Sequence, residues 1–167
     1  MRGTECPSVK VVAALMLLAG CGGAPPSDPT DGGNGIEPGQ SGDPAVALGF
    51  TAEAPAGAYA SVAAFELFTT TSVRVVADFA NVGADGAERL ALRGPSGIVY
   101  YTTVIPFTGA TGSDRSVTVL PGGAYRVVYL LEVAGTPIET FQMTGAWTAE
   151  VVLDGTATSA TEAFELR

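Results

Sequence analysis

A single all-β domain over residues 45–167 is predicted by three observations. Apolar residues recur with period two through most of that stretch, as they do when one face of a strand is buried. Clusters of Gly, Pro, Asp and Ser punctuate the runs at short intervals. No segment after residue 45 keeps a period of 3.6 between helix caps. Short strands separated by turns are the pattern of a sandwich or barrel, and 123 residues suffice to bury a core.

The strands follow in order. Val46, Leu48 and Phe50 share a face, and Phe65 and Leu67 begin a second run. Val73, Val75, Ala77 and Phe79 share a face with Arg74 and Asp78 turned away. Leu90 and Leu92 alternate with Arg89 and Arg93. Residues 98–105 are β-branched or aromatic throughout, and Val117 and Val119 follow. Tyr125, Val127, Tyr129, Leu131 and Val133 oppose Arg126 and Glu132. Trp147, Ala149, Val151 and Leu153 oppose Thr148, Glu150 and Asp154, and Phe164 and Leu166 close the chain. Turns are predicted at 83–86, 94–97, 109–114, 121–123, 135–137 and 154–155. The window 56–67 is ambiguous: its alanines permit a helical turn, while Phe65–Thr70 favours a strand.

Composition removes several functions. The 167 residues contain no histidine, so a Ser-His-Asp triad and a His-based metal site are excluded. Eight Lys+Arg against seventeen Asp+Glu give a net charge of -9, which argues against nucleic acid as a partner. Two cysteines make neither a disulfide framework nor a four-cysteine zinc site.

The amino terminus reads as an address. Arg2 and Lys10 precede the apolar run 11–19, whose nine residues are too few for a helix that spans a bilayer. The run ends in Leu18-Ala19-Gly20-Cys21, which resembles the lipobox of bacterial lipoproteins. The resemblance implies cleavage between Gly20 and Cys21 and diacylglycerol on the Cys21 thiol. Residues 1–20 are then a signal peptide, and losing Arg2, Lys10 and Glu5 takes the charge from -9 to -10. The six remaining basic residues are all arginine, which excludes Schiff-base chemistry and a polybasic grip on lipid. The lipid itself must anchor the chain. One cysteine remains, so no disulfide supports the fold.

Residues 21–44 are the lipidated Cys21 and a flexible linker. Twelve of the 23 residues 22–44 are Gly or Pro, which leaves too little apolar surface to offset ordering entropy. Asp28, Asp31 and Asn34 lack the alternate spacing and closing Glu of a calcium loop.

The carboxyl-terminal pattern is the most distinctive. Gly145-Ala146-Trp147 opens an alternating run, Asp154-Gly155 turns it, and Phe164-Glu165-Leu166 ends it. With Arg89–Gly97 upstream, this resembles the terminal hairpin and strand–Pro-x-Gly–strand element of immunoglobulin-like modules in bacterial surface proteins, over residues 88–166. The segment Val133–Ile138 is similar to secreted lipoproteins of unassigned function. Phe65-x-Leu67 with Pro121–Tyr125 resembles, more loosely, the β-sandwich that trails secreted peptidases. The implied fold is one immunoglobulin-like antiparallel sandwich without the Cys…Trp…Cys pattern of antibody domains.

Chemistry-bearing groups are few. Glu132, Glu139 and Glu150 could make an acid pair for glycosidic hydrolysis only if the fold brings two together, whereas alternation sends Glu132 and Glu150 to solvent faces. Ser96 lacks the Gly-x-Ser-x-Gly spacing of a nucleophile elbow and reads as a turn serine. No phosphate loop or dinucleotide fingerprint occurs, and no cofactor or metal is expected. Tyr100 and Tyr101 are the candidate ligand-stacking pair; as strand neighbours they should face opposite ways. The expectation is a non-enzymatic module, anchored in the cell envelope by its lipid and facing outward, in the outer membrane where the cell has two. It binds another envelope protein through sheet edges or end loops, with envelope polysaccharide as the alternative partner and a carboxylate hydrolase as the weaker one.

Overall fold

The computed structural model describes residues 42–55, 57–109 and 112–167. The expected signal peptide, the expected cleavage and lipidation positions Gly20 and Cys21, and the expected linker up to residue 41 lie outside the described residues. Nine strands and one short helix follow in chain order: β1 (Ala45–Thr51), β2 (Ala64–Phe65), β3 (Ser72–Ala80), β4 (Ala87–Arg93), β5 (Val99–Pro106), β6 (Arg115–Val119), β7 (Tyr125–Glu132), α1 (Pro137–Thr140), β8 (Gly145–Leu153) and β9 (Ser159–Leu166). They form a four-stranded sheet in the order β1-β3-β7-β6 and a five-stranded sheet in the order β2-β9-β8-β4-β5. All pairings are antiparallel except β2 with β9. Lettered along the chain, with the short second strand as A′ and the fifth as C′, the sheets read ABED and A′GFCC′. That is the immunoglobulin arrangement with a C′ strand added to the second sheet.

The inner faces are the alternating sets read from the sequence. Val73, Val75, Ala77 and Phe79 of β3 meet Leu90 and Leu92 of β4 and Trp147, Ala149 and Val151 of β8, all at most 1% exposed. An aromatic pair joins the sheets, Phe50 of β1 lying 4.8 Å from Phe164 of β9, and within the five-stranded sheet Trp147 stacks on Phe164 at 6.2 Å. The expected terminal hairpin forms, and its register sets Trp147 opposite Phe164 and Gly145 opposite Leu166. At the β4–β5 turn Gly97 donates its N–H to Gly94 and sits at φ 77°, where a side chain would be strained.

Strand directions define two ends. The chain enters β1 at the proximal end, where Asn81 donates to the Asp43 carbonyl and Thr158 to that of Pro44. The β3–β4 and β8–β9 connections share that end. The distal end carries the loops 66–71, 94–98 and 133–144, together with Arg167.

The ambiguous window forms no helix among its described residues, and its strand is only Ala64–Phe65. Residues 57–62 run instead as a strap over the outer face of the four-stranded sheet. Tyr59 donates to the Val76 carbonyl at 3.3 Å, and Val76 is fully buried beneath it. The strap lies close on Gly49, where a Cβ would come within 2.9 Å of the Tyr59 hydroxyl and push it aside. Arg126 of β7 latches the strap: it donates twice to Asp78 at 2.7 Å and once to the Gly57 carbonyl, with its guanidinium 5.1 Å from the Tyr59 ring centre. The bond to Asp78 raises the Arg126 pKa, and burial pushes the Tyr59 phenol up to about 12, so both keep their neutral-pH states. Asp78→Ala would leave Arg126 buried without its partner. We expect a loss of about 2 kcal/mol and faster proteolysis within 52–63, read by urea denaturation and limited digestion.

Candidate docking edge

Of the four outermost strands, β5 is the one left most open. β2 has two residues, and β1 is bridged by Val62 N–H to the Phe50 carbonyl and by Phe50 N–H to Ser61 Oγ. β6 has five residues and begins with Arg115. β5 runs for eight residues, VYYTTVIP, without a charge, and among the described residues no strand pairs with its outer side. Its sequence is written by β-branched and aromatic side chains, which favour extended backbone and pack well on a pleated surface. Edge strands ordinarily carry lysine, a mid-strand proline or an inward charge that blocks further pairing; β5 has only Pro106, at its last position.

A bulge shapes the start of this edge. Leu92 pairs with Tyr101 but Arg93 pairs with Val99, so Tyr100 is the extra residue. Its ring lies edge-on to the buried Trp147 at 5.2 Å, and Tyr101 stacks on Tyr129 of the other sheet at 4.8 Å. The expectation that the two tyrosines face opposite ways is therefore corrected: the bulge breaks the period-two rule and turns both rings toward inner-face partners. Tyr100 keeps 38% exposure, while Tyr101 is half-buried. Burial, and then the neighbouring Tyr101 phenol, raise the Tyr129 pKa, which keeps this contact neutral. Arg115 Nη1 reaches Thr103 Oγ1 at 3.5 Å and Nε reaches Asp114 at 3.2 Å, bridging β6 to β5 along the open side of the sandwich. Outward, the edge presents Val99, Thr102 and Val104.

The candidate acid pair is not assembled. Glu132 ends β7 on the outer face of one sheet, and Glu150 lies on the outer face of the other, 3.9 Å from Arg93. Glu139 is in α1, where its carboxylate accepts the Gly135 N–H at 2.7 Å. Ser96 lies exposed in the β4–β5 turn. Among the described residues no three His, Cys, Asp or Glu side chains group to hold a metal, and no helix is long and apolar enough to cross a membrane.

One carboxylate was overlooked by the sequence reading. Glu88 falls two residues before Leu90, so alternation alone places it on the inner face, and it is 1% exposed there. Its Oε2 has no hydrogen-bond partner, and burial pushes its carboxyl up to about 8. Sequence reading also could not find the edge itself, because strand order is set by tertiary pairing.

Fold and edge together define a single immunoglobulin-like domain with an open, uncharged C′ strand. No protein-family model matches the chain, and no curated protein sequence matches it.

Proposed function

We propose that this chain is a lipid-anchored lipoprotein of a bacterial cell envelope whose sandwich docks, without catalysis, onto a second envelope protein through β5. The observation that carries the docking is the eight-residue uncharged edge with no strand paired to its outer side. An extended segment of the partner would continue the five-stranded sheet, its main chain supplying affinity and its alternate side chains meeting Thr102 and Val104. The anchor rests on Leu18-Ala19-Gly20-Cys21, with lipid on Cys21 after cleavage at Gly20. Residues 22–44, twelve of them Gly or Pro, would serve as the spacer between that lipid and the domain.

Two substitutions test the two halves separately. Cys21→Ser should abolish lipid labelling and move the protein from the membrane pellet to the soluble fraction; a variant that still labels and pellets removes the anchor. Val104→Lys should weaken capture of the partner by the full-length protein about tenfold, because a charge on the edge blocks further pairing. The same change at Val119 on β6 should leave capture intact. Polysaccharide retention lost in Tyr100→Ala or Tyr101→Ala but kept in Val104→Lys would replace docking by carbohydrate recognition.

A further inference from the structure

The most exposed large apolar side chains among the described residues are not scattered. Phe141, Ile98 and Phe68 are 75%, 72% and 69% exposed, and each sits in a different loop of the distal end. Single exposed apolar residues are ordinary; here the Ile98 and Phe141 loops are neighbours, and Phe68 stands at the far edge of the same end. From β2 to β5 that end spans about 20 Å at ordinary strand spacing.

The loops hold these side chains out on a rigid base. Phe141 follows α1, whose Thr136 cap accepts the Ile138 N–H, and Ile138 is fully buried beneath it. The loop is tied to the end of the 66–71 loop by Val133 and Ala134 N–H bonds to the Thr71 carbonyl, and Trp147 Nε1 donates to the Met143 carbonyl at 3.0 Å. The Ile98 turn packs on the same loop: a Cβ on Gly94 would lie 3.5 Å from Met143 Cε, and one on Gly145 3.3 Å from Pro95. Phe68 sits in a turn closed by Thr69 and Thr70 N–H bonds to the Glu66 carbonyl. Core packing and hydrogen bonds fix the backbone while the rings stay in water, so little ordering entropy remains to be lost on binding.

Charge selects the occupant. Glu66, Glu132 and Glu139 surround the end; of the arginines nearby, Arg93 faces Glu150, Arg115 faces Asp114 and Arg167 faces Glu165, while Arg74 donates to the Ala52 carbonyl, so three carboxylates stand against one cation without a carboxylate partner. An anionic lipid surface would repel this rim, and so would a second copy of the same end. The patch also lies opposite the end where residues 42–44 enter β1. We infer that Phe68, Ile98 and Phe141 form a second docking surface, for a protein that presents an apolar patch rimmed by lysine or arginine. The inference rests on the proposed anchor only for its direction, which faces away from the anchoring membrane; the surface does not depend on β5.

The test is site-specific photocrosslinking in the full-length chain in its own cells, with the photoreactive residue at 68, 98 or 141 and, as controls, at Val104 and Val119. The same protein adduct at two or more distal positions, absent at Val119, is expected. Against that protein once purified, Phe141→Ser with Ile98→Ser should weaken binding about tenfold. Raising salt from about 0.05 to 0.5 M should weaken it further, since the rim is acidic. All three side chains are exposed, so the variant's thermal midpoint should stay within a few degrees of wild type. A phospholipid adduct, an adduct of twice the protomer mass, binding indifferent to the double substitution, or no distal adduct would each overturn the inference. A distally crosslinked protein whose binding is lost in Val104→Lys but kept in the distal double variant would overturn it while leaving the edge reading standing; unchanged capture of every partner in Val104→Lys would overturn the edge reading alone.

Discussion

Glu88→Met is expected to stabilise the domain at pH 8 by on the order of 3–5 kcal/mol, a rise of roughly 10–20 °C in thermal midpoint. Glu88 faces the core between Ile105 and Leu153 on the neighbouring strands, without a partner for Oε2. Water stabilises its charge in the unfolded chain, and nothing replaces that water inside the sandwich. Burial lifts the folded carboxyl from 4.5 to about 8. A folded pKa above the unfolded one means that the folded state holds the proton more tightly. The wild-type fold therefore keeps Glu88's full contribution below pH 4.5 and loses it progressively up to about pH 8. Urea midpoints of wild type, Glu88→Gln and Glu88→Met at pH 5, 6.5 and 8 check this. Glu88→Gln should lose the part of the pH slope that wild type shows, and the gap between wild type and Glu88→Met should widen with pH. Parallel slopes in all three would show that Glu88 finds a partner or water in the folded state.

Trp147→Ala is expected to cost roughly 3–5 kcal/mol, the usual range for emptying a large aromatic site. Trp147 is fully buried, stacks on Phe164 and supports the Tyr100 ring at the bulge. Its Nε1 also holds the Met143 carbonyl of the loop that carries Phe141. Trp147→Phe separates these roles. It should cost less, and hydrogen exchange should quicken in residues 139–144 more than in β8. As the chain's one tryptophan, Trp147 reports on its own site: emission should be blue-shifted when folded and red-shift in one step with loss of β-sheet signal. Equal protection of that loop in wild type and Trp147→Phe would mean that Ile138 and the Thr71 bonds hold it alone.

The strands were legible because burial on one face imposes period two. Val73–Phe79, Tyr125–Leu131 and Trp147–Leu153 alternate in sequence and line the inner faces in the structure. The same rule places Glu88 in the core, and it went unread because a glutamate ordinarily belongs outside. The rule misled at Tyr100 and Tyr101, where one extra residue turns both rings inward. Period two carries no information about a bulge, since an inserted residue has no side-chain signature of its own. Residues 57–62 were unreadable for a different reason. The strap has no hydrophobic period, and Tyr59 and Arg126 acquire partners only when the chain folds back over Gly49 and Val76.

Sequence by itself determined the all-β class, the inner faces of β1, β3, β4, β7 and β8, the turn at Gly94–Gly97 and the presence of the terminal hairpin. Each of these depends on residues near one another along the chain, where backbone preference and apolar alternation act directly. Tertiary structure alone decided that β5 lies at an edge, that Glu132 and Glu150 occupy opposite outer faces, and that Phe68, Ile98 and Phe141 share one end. Those facts follow from which strand pairs with which across long separations, a choice made by the summed packing of both sheets and by no local segment.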